Sequence, residues 1–186
     1  IRILLPARIK EQKGALDGIL LVDELKRRNI DSRLLIIGEA QSAEYLALLN
    51  RNIIELNLGG KIEIRPMADQ AEMSRLYREH DFCFFPSYFK TGFSRVPLEA
   101  MASGCLVLTY GNEGSNESIQ DQVTGYLLSE GDILSAADRI EVLVADNTIF
   151  KKVITTARRV IEEKYTMEDY LQNIETVLIG SSKPIS

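Results

Sequence analysis

Short apolar runs alternate with longer amphipathic stretches along the first two-thirds of the chain. The runs Ile3–Leu5, Arg33–Ile37, Lys61–Arg65, Phe82–Phe85, Cys105–Thr109 and Tyr126–Leu128 read as strands. Each is nearly continuous in Ile, Leu, Val or Phe, the pattern of a parallel sheet covered on both faces. Helical spacing fills the intervals. Leu16, Ile19, Leu20, Val22 and Leu25 precede the basic KRRN, which suits a last helical turn. Tyr45, Leu46, Leu48 and Leu49 repeat at helical spacing until Asn57–Gly60 stops them, and Met73, Leu76 and Tyr77 do the same further on. Alternation of this kind predicts an α/β fold, an open parallel sheet with helices on both faces in three layers.

The last third reads as nearly all helix, from Ile133 to Ile179. Asp146-Asn147-Thr148 marks a turn with a capping threonine or asparagine, and Thr166 with Asp169 resembles a capping box. One domain over residues 1–180 is expected, with SSKPIS (181–186) as a frayed tail. A chain of 186 residues can bury a sizeable single core. It begins at Ile1, which reads as a piece of a longer protein starting directly on a strand. The run IRILLPARI is too short, and too rich in arginine, for a signal peptide.

Charge and composition narrow the function classes. A net charge of −5 disfavours general nucleic-acid binding, though not a local basic pocket for one small anion. No apolar run approaches the roughly 18 residues that span a bilayer. Cys83 and Cys105 sit in separate apolar runs and read as buried, reduced thiols of a cytoplasmic protein. His80 is the only histidine and falls at a helix-to-strand junction, so no metal site is expected.

Ligands of open α/β sheets bind at the carboxyl ends of the strands, beside free helix N–H groups. Three strand ends carry suitable residues. In ARIKEQKG (7–14), Arg8 and Lys13 could face one crevice and hold a diphosphate, the first as a planar fork and the second as a point charge. Taken alone, that stretch reads more readily as a charged surface loop. Neither G-x-G-x-x-G nor a P-loop pattern is present. In TGFSRVPLEAMASG (91–104), Gly92 permits close approach of backbone N–H groups, Ser94 suits an N-cap, and Pro97 suits the first turn. At about 100° per residue, apolar side chains cover almost the whole helix and leave only Glu99 and Ser103 in the remaining sector. Pro97 stands where a capping box needs glutamate, so capping does not account for Glu99. Paired ligand hydroxyls, such as those of a ribose, would satisfy it; partial exposure at the helix mouth is the alternative. The third stretch, TYGNEGSNESIQDQVTGYLL (109–128), makes glycine turns common to many α/β proteins.

Taken together, these stretches resemble the C-terminal, donor-binding domain of GT-B retaining glycosyltransferases of the glycosyl transferases group 1, or family 4, type. The family's G-R and E-K-G appear as Ala7-Arg8 and Gln12-Lys13-Gly14, and its V-G strand end as LLIIG ending at Gly38. Its L-Y-x-x-A-D-x-F-V-x-P-S is matched by LYREHDFCFFPS (76–87), and E-G-F-G-x-x-x-x-E-A-M-A-x-G by residues 91–104. G-G-x-x-E and D-G-x-T-G-x-L have counterparts in GSNE (114–117), with the glycine pair read as Gly114-Ser115, and DQVTGYL (121–127). YTME (165–168) resembles the closing F-S-W-E. Thr91 replaces the first glutamate of the family's pair, which leaves the sugar identity and the activity open, and Ser94 replaces a glycine.

The resemblance implies transfer of a sugar, with retention, from a nucleotide-sugar donor. Arg8 and Lys13 would stabilise the leaving diphosphate. Thr91, Gly92, Phe93, Ser94 and Glu99 would bind the donor, with Glu99 on the ribose hydroxyls. Neither cofactor nor metal is expected. The implied partner is an N-terminal acceptor domain, with membrane contact only through that domain. A degenerate domain acting as a nucleotide-binding module or partner subunit is the alternative, and an epimerase- or phosphorylase-type relative is a third.

Overall fold

The computed structural model describes residues 1–165. The second half of the expected C-terminal helical region, the Thr166/Asp169 box, most of YTME, the boundary at 180 and the tail lie outside them. Six strands alternate with helices: β1 (Arg2–Pro6), α1 (Ala15–Arg27), β2 (Arg33–Ile37), α2 (Ala43–Glu55), β3 (Ile62–Arg65), α3 (Gln70–Glu79), β4 (Phe82–Phe85), α4 (Val96–Ala102), β5 (Leu106–Thr109), α5 (Ser115–Ser118), β6 (Tyr126–Leu127), α6 (Ile133–Ala145) and α7 (Asn147–Lys164). All six strands form one parallel sheet in the order β3-β2-β1-β4-β5-β6. The chain builds outward from β1 in one direction, then returns to β4 and builds in the other. The switch point therefore lies between β1 and β4, where loops diverge and a crevice opens.

Strand residues alternate between two cores. Ile3, Leu5, Leu34, Ile36, Phe82, Phe84, Leu106 and Leu108 face one, with α1, α2 and α6 over it. Leu4, Leu35, Ile37, Cys83 and Val107 face the other, against Met73, Leu76, Tyr77, Ala100 and Met101 of α3 and α4. Both faces are covered, so the four central strands are buried along nearly their whole length, which is why they read as unbroken apolar runs. β3 departs from that expectation: at the sheet edge, its residues are half-buried or exposed. α7 serves both sides. Phe150 packs edge-on to Phe82 with centroids 5.4 Å apart, while Ala157 joins the second core.

Polar groups close the helix ends. Asp146 caps α7 by accepting from the Thr148 N–H at 2.8 Å, so neither Asn147 nor Thr148 is the cap. Its carboxylate satisfies one of the orphan donors of the first turn. His80 ends α3, with Nδ1–H donating to the Leu76 carbonyl at 2.7 Å, and burial lowers its pKa. Cys83 and Cys105 are buried thiols whose pKa values burial raises, as reduced core cysteines require.

Phe84 has no exposed surface and meets Tyr110 edge-on at 6.0 Å. Phe84→Ala should destabilise the fold by about 3–5 kcal/mol. Urea unfolding would register this as a lower midpoint with an unchanged slope.

Candidate functional site

Three loops leave the carboxyl ends of β1, β4 and β5 and meet at the switch point. The first carries Arg8, which is exposed, and Lys13, which ends a short 3-10 turn (Glu11–Lys13) and is only 8% exposed. Gly14 holds this loop against the end of β4. Its φ is +67°, and a Cβ there would lie 2.3 Å from the Pro86 carbonyl oxygen. Only glycine fits that approach.

Lys13 does not face the crevice as a free cation. Its ammonium pairs with the Glu113 carboxylate, and the same carboxylate oxygen accepts from the Ser87 hydroxyl. The Lys13 ammonium also lies 5.9 Å from the ring centroid of Phe85 and 5.5 Å from that of Phe89. The Glu113 carbonyl accepts the Ser94 N–H at 2.9 Å. One residue thus joins all three loops: β1's through Lys13, β4's through Ser87 and Ser94, and its own after β5.

Sequence reasoning missed Glu113. Counted back from Glu117, however, a five-residue G-G-x-x-E pattern begins at position 113, not 114. The backbone agrees, since the two consecutive left-handed residues are Glu113 (φ +52°) and Gly114 (φ +74°). The glycine pair therefore corresponds to Glu113-Gly114, and a glutamate occupies the first glycine position. Gly114 is needed for contact as well: a Cβ would stand 2.5 Å from the Phe93 ring.

The turn before α4 is arranged differently from expectation. Arg95, not Ser94, is the N-cap; the Ser94 hydroxyl accepts the Val96 N–H at 3.3 Å. Its own N–H is spent on Glu113, so it is not free for a ligand in this arrangement. Thr91, Gly92 and Phe93 are exposed. α4 is also less enclosed than its apolar circumference suggests: Pro97, Ala100 and Met101 are buried, Val96 and Leu98 are half-buried, and Ala102 is exposed.

Glu99 lies partly exposed at the mouth of the crevice, as the alternative reading of the sequence allowed. Tyr77 donates its hydroxyl to Glu99 Oε2 at 3.2 Å, and Arg95 Nε stands 3.8 Å from Oε1. Glu99 and Ser103 do share a sector, in the wall of a cavity of about 380 Å³. An adjoining cavity of about 310 Å³ brings Glu99 together with Pro6, Phe93, Ser94 and Glu113. Of the expected residues, Phe93, Ser94 and Glu99 line this cavity, and Lys13 is tied to it through Glu113, whereas Arg8, Thr91 and Gly92 are not among its lining residues. Among the described residues no group of three or more metal-ligating side chains is found.

Behind the crevice, Tyr88 and Tyr110 both donate to Asp17 Oδ2, at 2.6 and 2.7 Å. This pins the segments after β4 and β5 to the start of α1. Burial, then the Asp17 carboxylate, pushes the Tyr88 hydroxyl up to about 12, and the same causes raise that of Tyr110.

A family model, glycosyl transferases group 1, matches residues 1–167. The chain belongs to that family. It is 23% identical to the capsular polysaccharide biosynthesis glycosyltransferase CapM of Staphylococcus aureus, with 91% of this chain aligned to 43% of that protein. The crystallised C-terminal domain of LpcC, a group 1 glycosyl transferase of Francisella tularensis, superposes with a TM-score of 0.79 at 26% identity. That match covers 89% of this chain and 86% of the other. HepE of Anabaena, solved with UDP and glucose, gives a TM-score of 0.86 at 19% identity, over 96% of this chain and 48% of HepE. The chain spans about half the length of these full-length glycosyltransferases. The Rossmann-like fold and the family expected from the motifs are thus established for this chain.

Two outcomes test this geometry. Lys13→Ala strands a buried carboxylate and should cost about 3–5 kcal/mol of stability, and pairing it with Glu113→Gln should recover most of the loss. A loss below about 1 kcal/mol in urea unfolding would mean that the pair is solvated. Tyrosines whose folded pKa is raised contribute stability that is present below the ordinary value and lost as pH climbs through the folded one. The Tyr88 share of stability should therefore be present below about pH 10 and be lost between about 10 and 12. Tyr88→Phe should flatten that fall in pH-dependent unfolding curves.

Proposed function

We propose that this chain is the donor-binding domain of a retaining glycosyltransferase. It would transfer a sugar from a nucleotide-sugar to an acceptor when joined to an N-terminal, acceptor-binding domain. The observation that carries this reading is a cavity at the β1/β4 switch point lined by Phe93, Ser94, Glu99 and Glu113, with Lys13 paired to Glu113, in a member of the group 1 family. The UDP and glucose bound by HepE support a nucleotide-sugar ligand, and CapM's role supports polysaccharide or glycolipid biosynthesis.

Each residue then has a task. Arg8 and Lys13 take up the charge that develops on the leaving diphosphate, aided by the N–H groups of Gly92 and Phe93. Such pre-aimed donors stabilise a transition state by a few kcal/mol each. Glu99 accepts the ribose hydroxyls, with Tyr77 and Arg95 orienting its carboxylate. Thr91 supplies a hydroxyl to the sugar where the family pattern has a carboxylate. No helix among the described residues is long and apolar enough to cross a membrane; membrane contact is proposed only through the acceptor domain. The second reading, a degenerate nucleotide-binding module or partner subunit, is favoured by Thr91 alone.

Calorimetric titration with UDP, GDP, ADP and their sugar conjugates tests the reading. One base should bind saturably, and Arg8→Ala and Glu99→Ala should each weaken it about tenfold or more, as loss of a hydrogen bond to a charged group does. The chain alone should bind without transferring sugar. Absence of binding to every nucleotide would defeat the donor-site reading, and binding without transfer by the full-length protein would favour the degenerate module.

A further inference from the structure

Glu113 joins all three loops of the crevice, through Lys13, Ser87 and its own backbone after β5. It is held in left-handed backbone, at φ +52°, where a residue with a side chain is uncommon. It is 9% exposed. Lys13 and Ser87 both contact its Oε1. Its Oε2 carries no hydrogen bond among the described residues, and the residue lines the cavity shared with Phe93, Ser94 and Glu99.

Two consequences follow for a donor in that cavity. Lys13 is already neutralised, so a terminal phosphate must share the ammonium with a carboxylate beside it. Like charges that close repel strongly where water is scarce. A free nucleoside diphosphate carries about one more negative charge near neutrality than its sugar ester, because only its terminal phosphate has a second ionisation near pH 6. The sugar ester lacks that charge and brings hydroxyl groups, for which Oε2 is an open acceptor. The same carboxylate penalises the one ligand and can accept from the other.

We propose that Glu113 is a specificity-determining residue that biases this site towards the intact nucleotide-sugar and against the free nucleoside diphosphate. Discrimination arises as much from the repulsion as from the attraction. In the reaction cycle this favours release of the diphosphate product and binding of fresh donor. The inference rests on the donor-site reading above.

The test compares Kd for UDP with Kd for UDP-glucose in the wild-type chain, Glu113→Gln and Glu113→Gly; the GDP or ADP pair replaces them if the titration selects that base. Glycine suits the left-handed backbone, so the second variant guards against misfolding of the first. Both variants should bind UDP more tightly, and the ratio Kd(UDP)/Kd(UDP-glucose) should fall roughly tenfold. A merely structural role would weaken both ligands in parallel and leave the ratio unmoved; either result overturns the proposal. If the wild-type chain binds no pair at all, the donor-site reading fails and this inference falls with it. Wild-type binding with an unmoved ratio removes only the role given to Glu113.

Discussion

A parallel sheet covered on both faces leaves its polar chemistry only at the ends of its strands. That constraint shapes this molecule. Strands β1, β2, β4 and β5 are buried along nearly their whole length. Their carboxyl ends must instead pass through loops, and at the β1/β4 switch point those loops diverge. Everything the site uses hangs from that gap. Lys13 follows β1, Ser87 and the 91–94 turn follow β4, and Glu113 follows β5. The Asp17–Tyr88–Tyr110 cluster fastens the segments after β4 and β5 to α1.

Within the crevice the organising contact is the Lys13–Glu113 pair. Burying two charges costs desolvation that their attraction only roughly repays, so such a pair is weak evidence for stability. Its value here is positional. It sets the ammonium against Phe85 and Phe89, draws in the Ser87 hydroxyl, and through the Glu113 carbonyl fixes the Ser94 N–H. A site with one exposed cation in Arg8 and one neutralised cation in Lys13 is less attractive to bare anions than its two basic residues suggest.

Much of the fold was legible because burial on both faces writes itself into sequence as unbroken apolar runs. All six strands match their expected positions to within a residue at each end, and β2 and β4 match throughout. The misses have physical causes. β3 lies at an edge, so its alternating Ile62 and Ile64 are only half-covered. Composition alone cannot separate a helix that is apolar because it is enclosed from one, like α4, whose alanine at 102 simply faces out. Capping was misread twice for one reason: Ser94 and Asn147 are good caps by type, but the chain enters its helices one residue away, at Arg95 and Asp146. Lys13, Gly92 and Glu99 were legible as candidate residue types, whereas the Lys13–Glu113 contact was not, because Glu113 is 100 residues from Lys13 and looked like one more turn residue.

Two turn positions show why Glu113 differs from an ordinary strained residue. Gln122 also has left-handed backbone, at φ +62°, and also stands where the family pattern has glycine. Each carries a steric penalty of about 1–2 kcal/mol relative to relaxed backbone. Gln122 is exposed, and its side chain reaches only the neighbouring Asp121 at 3.1 Å, a contact too weak to offset that penalty. Glu113 meets the same penalty in a buried position and there engages an ammonium, a hydroxyl and, through its carbonyl, a backbone amide. The strain at 122 has no return in the structure. The strain at 113 places a carboxylate beside the Lys13 ammonium, and under the donor-site reading any account of ligand selection has to pass through that carboxylate.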